Sequence, residues 1–123
     1  MAKKKEENIL IPLDIVMRDE NAKDYKWVGT SLSGYVFTNY KKIVKLLGQP
    51  NSIGDAHKID ACWEFEMNDK VMTIYNYKDG KNYNGKSGLP VSKITEWHIG
   101  SADDVTEEVK TLAIIFECKF RMM

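Results

Sequence analysis

Over residues 40–47 the apolar positions Tyr40, Ile43, Val44 and Leu47 fall at i, i+3, i+4 and i+7, the spacing of one helix face. Thr38 stands where a cap belongs, Gly48 ends the helix and Pro50 prevents its resumption. The period then changes to two. Ile59, Ala61, Trp63, Phe65 and Met67 alternate with Asp60, Cys62, Glu64 and Glu66, which predicts a strand over 59–67. Asn68-Asp69 supplies a turn, and 71–77 returns as an antiparallel partner rich in strand formers. A third strand over 93–99 puts Thr95, Trp97 and Ile99 on one side and Ile94, Glu96 and His98 on the other. A last helix carries Val105, Val109, Leu112, Ala113 and Phe116 as its apolar stripe. Ser101 or Asp103 would cap it, and Asp103, Asp104, Glu107 and Glu108 suit its positive end.

Upstream the pattern is weaker. Residues 9–16 are apolar enough for an edge strand, although Pro12 limits its ladder bonding, and 18–26 is mostly charged and reads as a connection. Residues 28–37 read as a small-residue loop, Gly29 to Tyr35, between two apolar pieces. The expected architecture is a single α+β domain: an antiparallel β meander packed against two main helices, with a flexible N-terminal end over about 1–7. The uncovered sheet face and the loops at the sheet ends are left for function.

Composition bounds what that function is. A chain of 123 residues, 43% hydrophobic and 29% charged, suits one folded domain with one core. Eighteen basic residues balance eighteen acidic ones, which excludes a wholly basic nucleic-acid coat and a polyanionic mimic. No apolar run reaches the roughly 18–20 residues of a membrane span. Lys3, Lys4 and Lys5 resemble a signal peptide's start, but the apolar stretch after them is short and broken by Asp14. Two cysteines, Cys62 and Cys118, have no metal-type spacing, which favours a reducing, cytosolic setting.

Within a neutral total the charges are unevenly placed. KDGKNYNGKSGLPVSK, residues 78–93, holds Lys78, Lys81, Lys86 and Lys93 against Asp79 alone, with three glycines and Tyr83 at its centre. Backbone N–H groups, ammonium groups and a stacking ring suit a phosphate with a base; a solvated hairpin loop is the plainer reading. Asp60, Glu64, Glu66 and Asp69 form an acidic strand and turn, able to hold a divalent cation or simply to face water. His98 beside Trp97 is a candidate base, phosphate donor or structural residue, and His57 completes no metal trio. No GxSxG, HExxH or GxxxxGK[ST] frame provides a nucleophile or phosphate loop. Tyr75 and Tyr77 share a strand face and run directly into the lysine-glycine loop. Base stacking there is worth about 1–3 kcal/mol per ring.

Five elements in order, GTSLSGYV (29–36), LLGQPN (46–51), ACWEFE (61–66), TIYNYKDGKNYNG (73–85) and EWHIGS (96–101), resemble a family of small bacteriophage proteins. That family is associated with nucleotide sponges of the anti-CBASS type, and the likeness covers about 29–109. The resemblance implies a protein that binds a 3′,3′-cyclic GMP-AMP-like dinucleotide without cleaving it, in the cytoplasm of an infected bacterium. It also implies a homo-oligomer, dimer or tetramer, with pockets at subunit interfaces, no cofactor, no membrane and no long nucleic acid. Ser101 departs from a second glycine expected after Gly100. Carried onto this chain, the ligand-binding residues are Thr30, Ser31, Tyr35, Tyr75, Tyr77, Lys78, Lys81, Tyr83, Trp97 and His98, with no catalytic residue and no metal ligand. Two alternatives remain at this level: a small phosphodiesterase using His98 with Glu96 or Asp79, and an interaction module that inhibits a host enzyme through the acidic 60–69 hairpin.

Overall fold

A computed structural model describes residues 14–123. The expected flexible end and most of the expected 9–16 strand lie outside the described residues. Six strands form one antiparallel sheet: β1 (Ile15–Met17), β2 (Ser31–Phe37), β3 (Cys62–Met67), β4 (Lys70–Tyr75), β5 (Trp97–Ser101) and β6 (Lys119–Met122), in the spatial order β1-β3-β4-β5-β2-β6. Helices α1 (Tyr40–Leu47) and α3 (Thr106–Phe116) contribute to the core on one side of it, and a single short turn of helix, α2 (Lys81–Asn84), lies in the lysine-glycine loop. The α+β class is as the periodicities predict.

The core follows from the alternation. Trp63, Phe65, Met72, Ile74, Trp97 and Ile99 leave the strands on the helix side with no exposed surface, and meet Ile43 of α1 and Val109, Leu112 and Phe116 of α3. The two tryptophans meet edge to face, 5.5 Å between ring centres, and Tyr40 closes over both. Trp63 Nε1 donates to Gly48 O at 2.8 Å, so the residue that ends α1 also satisfies a core indole.

Four local expectations are corrected. Residues 31–37 are a full strand, not a loop, because β2 is inserted between β5 and β6 and its backbone groups pair on both sides. Asn39, not Thr38, caps α1: its side chain accepts from Lys42 N at 2.9 Å. At α3, Asp104 accepts from Thr106 N and Oγ1, while Ser101 Oγ is used inside the sheet, donating to Val71 O. The third strand begins at Trp97, since 91–93 closes into a 3-10 turn after Pro90. The β3–β4 hairpin is as expected: Asn68 and Asp69 both take φ near +60°, the mirror-image turn that matches strand twist.

Candidate functional site

The face of the sheet away from the helices carries an aromatic row. Register alone assembles it: Cys62 pairs with Tyr75, Tyr75 with His98, His98 with Tyr35 and Tyr35 with Arg121, so one residue from each of five neighbouring strands lies in line. The His98 ring stacks on Tyr75 at 5.3 Å and 24° and meets Tyr35 at 4.8 Å and Tyr77 at 5.8 Å. Phe37 extends the row beside Tyr35, and the Arg121 guanidinium lies 4.5 Å from the Tyr35 ring centre. His98 Nδ1 is buried with no hydrogen-bond partner. Burial holds this imidazole below its usual pKa, against the opposing pull of Glu96 and Asp79. At neutral pH the ring is therefore an uncharged stacking surface with one unused polar atom. Burial likewise raises the Tyr75 hydroxyl pKa and pushes the Cys62 thiol up to about 11, so both remain protonated.

The lysine-glycine loop adjoins this row. It is held, not slack. Asn76, fully buried, accepts from Asp60 N and Ala61 N through Oδ1 and donates through Nδ2 to the carboxylates of Asp60 and Asp79. The other Asp60 oxygen accepts from the backbone N–H groups of Lys81 and Asn82 at 3.1 and 3.2 Å, fixing the start of α2. Gly80 is required by this close approach, for a Cβ there would lie 2.1 Å from Asp60 Oδ1. Lys78, at φ +63°, directs Nζ between two rings, 5.3 Å from the centre of Tyr77 and 5.4 Å from that of Tyr83. His57 packs edge-on against Tyr83.

The ten residues expected at the site therefore separate. Tyr35, Tyr75, Tyr77 and His98 come together on the open face, and Lys78 and Tyr83 stand at its edge. Lys81 is exposed on α2. Thr30 lines a cleft next to the row. Ser31 pairs with Ser101 at the start of β2, and its hydroxyl donates to Ser101 O at 3.4 Å, away from the aromatic row. Trp97 is a correction: it is fully buried on the helix side and donates Nε1 to Ile94 O. Adjacent strand residues point to opposite faces, so Trp97 and His98 cannot meet the same ligand on that sheet face.

The acidic row is also reassigned. Glu64 is 7% exposed and accepts from Arg18 and from Tyr25 Oη, while Glu66 lies 3.6 Å from Arg18 Nε. Asp60, tied into the loop, and Glu64 are thus internal fastenings, whereas Glu66 stays partly exposed beside Arg18 and Asp69 is exposed in the β3–β4 turn. Among the described residues no group of three or more His, Cys, Asp or Glu is placed to hold a metal ion, and no helix is long and apolar enough to cross a membrane.

Glu64 also explains what sequence reasoning missed. Arg18, Tyr25 and Lys26 O are drawn together over β3, and Asn51 adds bonds to Arg18 O and Glu64 O. Residues 18–30 thus cross the outer side of the sheet as a fastened strap. Between the strap and the 52–59 loop lies a cleft of about 400 Å³, floored by Cys62, Glu64, Thr73 and Tyr75. Arg121 was missed for a different reason: only the pairing of β6 with β2 brings the C-terminal strand to Tyr35. Comparison of the chain with protein-family models, with curated proteins and with solved structures finds no match.

Proposed function

We propose that this protein binds and sequesters a cyclic dinucleotide of the 3′,3′-cyclic GMP-AMP type without cleaving it, and thereby withholds the signal from a bacterial antiphage effector. The observation that carries the reading is the aromatic row Tyr75–His98–Tyr35 on the uncovered sheet face, bordered by Arg121 at one end and Lys78 at the other. A base is planar and polarisable and stacks on such rings; its phosphates carry the charge that Lys78 and Arg121 answer. Nanomolar capture corresponds to about −12 kcal/mol, which several stacking contacts of about 1–3 kcal/mol each can approach only together.

In this reading the protein acts in the cytoplasm of an infected bacterium as a homo-oligomer whose interfaces complete the pocket, and uses no cofactor. Sequestration requires a preorganised surface, which the Asn76–Asp60 network supplies by fixing the loop before any ligand arrives. It requires no nucleophile. The Asp79 carboxylate, one partner considered for an acid–base pair, accepts from Asn76.

The test is direct. Purified protein is loaded with 3′,3′-cyclic GMP-AMP, freed of excess, denatured by heat, and the released nucleotide analysed. Intact cyclic dinucleotide in stoichiometric amount supports capture. A linear product would replace it with a phosphodiesterase, and absence of binding to cyclic di- and trinucleotides would refute it. Native mass spectrometry with and without nucleotide measures the subunit number.

A further inference from the structure

Beside the aromatic row, Trp27 is 79% exposed, whereas Trp63 and Trp97 have no exposed surface. An indole so open to water on an unsecured loop would be unremarkable. The strap that carries this one is fastened on both sides of it. Arg18 donates to Lys26 O immediately before it, Tyr25 bonds Glu64 two residues before it, and β2 begins four residues after it. Its ring lies back over Gly29, where a Cβ would come within 3.1 Å of the indole atom Cη2. The strap therefore holds an aromatic plate at the mouth of the 400 Å³ cleft, with Tyr75 and Tyr77 lining other parts of the same cleft. That volume lies within the roughly 300–1,000 Å³ of small-molecule sites.

The cleft floor carries a second, independent sign. Thr73 Oγ1 is buried and has no hydrogen-bond partner. A Cβ on Gly100 would lie 2.6 Å from that oxygen and 3.0 Å from Thr30 Oγ1, so both hydroxyls converge over the same glycine. A buried hydroxyl without a partner is destabilising, and a ligand group that reaches it from the cleft removes that cost. Aromatic surface above and unsatisfied polar edge below match a planar heteroaromatic with hydrogen-bonding groups around its rim.

We infer that the cleft under the 18–30 strap is a nucleobase subsite, in which Trp27 stacks on the base and Thr73 Oγ1 bonds its edge. The inference rests on the nucleotide-binding reading above and deepens it: a cyclic dinucleotide has two bases, and Tyr75 borders both the row and the cleft. One base then lies against Tyr75, His98 and Tyr35, and the other enters beneath Trp27. The strap becomes part of the binding site, although nothing in its charged sequence before Trp27 advertises a ligand.

Trp27 is the exposed one of the chain's three tryptophans, so its fluorescence reports the cleft. Titration with 3′,3′-cyclic GMP-AMP is followed by tryptophan emission and, in parallel, by calorimetry; GMP and AMP serve as single-base probes. Binding by calorimetry with quenching of Trp27 is expected. Trp27→Ala weakens binding roughly ten-fold or more, and Trp27→Phe restores most of it. Thr73→Val weakens binding several-fold while its thermal midpoint holds or rises, because the hydroxyl has no partner to lose. That opposition of affinity and stability is something a merely structural Thr73 would not produce. Calorimetric binding with unchanged Trp27 emission and undiminished affinity in Trp27→Ala overturns the subsite and leaves the capture reading standing. Quenching by GMP or AMP without affinity for any cyclic dinucleotide keeps the subsite and overturns the capture reading. No binding of any of these probes overturns both.

Discussion

Asn76 shows how one side chain can shape a site it does not enter. Its amide meets two backbone N–H groups on one side and two carboxylates on the other, all at 2.8–3.0 Å and without exposed surface. Asn76→Ala leaves the N–H groups of Asp60 and Ala61 unpaired and is expected to cost about 3 kcal/mol in urea denaturation. A loss under 1 kcal/mol would show that water replaces the amide and that the loop is not prearranged. His98 makes a second prediction at this scale. Burial lowers its folded pKa below the ordinary 6.5, so between the two values the unfolded chain holds more protons than the native one. Stability therefore rises with pH across that window and falls as pH drops below 6.5, levelling once the folded pKa is passed. His98→Gln should remove this portion of the acid slope between pH 7 and 5; an unchanged slope would mean that the ring is solvated in the native state.

At the scale of elements, the parts set by local chemistry were readable and those set by distant neighbours were not. Helix α1 follows from its spacing and its terminal Gly48, and the β3–β4 hairpin from alternation on both sides of Asn68-Asp69. For strand β2 the segment SLSGYVF offers little apolar alternation, so the local pattern alone predicts a loop. It is a strand because β5 and β6 flank it, and Gly34 is needed where Arg121 O would lie 2.7 Å from a Cβ. The open-face tyrosines were legible from strand parity, whereas the strap was invisible, since Arg18 and Glu64 are 46 residues apart. Two measurements probe elements. Asp69→Gly, at a φ of +66°, should stabilise the hairpin by about 0.5 kcal/mol, seen as a small rise in the thermal midpoint. Glu64→Ala should cost about 3 kcal/mol, because it leaves the Arg18 guanidinium largely enclosed beside the more exposed Glu66. It should also change Trp27 emission as the strap loosens; unaltered emission with intact folding would show that other contacts hold the strap.

For the whole molecule, formal neutrality is the sum of charges with different occupations. Arg18 is spent on Glu64 and Glu66, Lys70 on Glu108, Lys42 on Glu117 and Lys110 on Glu107. Lys78, Arg121 and, at 6.0 Å from the Tyr77 ring centre, Lys58 instead lie against the rings of the open face. A small ligand with two phosphates meets these few cations, and unlike a duplex it brings no condensed counterions to release. Its attraction is local and partly shielded by aromatic surface, so raising salt from 0.05 to 0.5 M should weaken binding of 3′,3′-cyclic GMP-AMP by less than about ten-fold. Joint replacement of Lys78 and Arg121 by alanine should weaken it further than any salt change, because each cation's contact with its ring is lost along with its charge. A loss of several powers of ten with salt, matched by binding to DNA of any sequence, would mean that a diffuse basic surface does the binding. Stacking on a neutral protein predicts the shallow slope, since the ring contacts that dominate it do not depend on ionic strength.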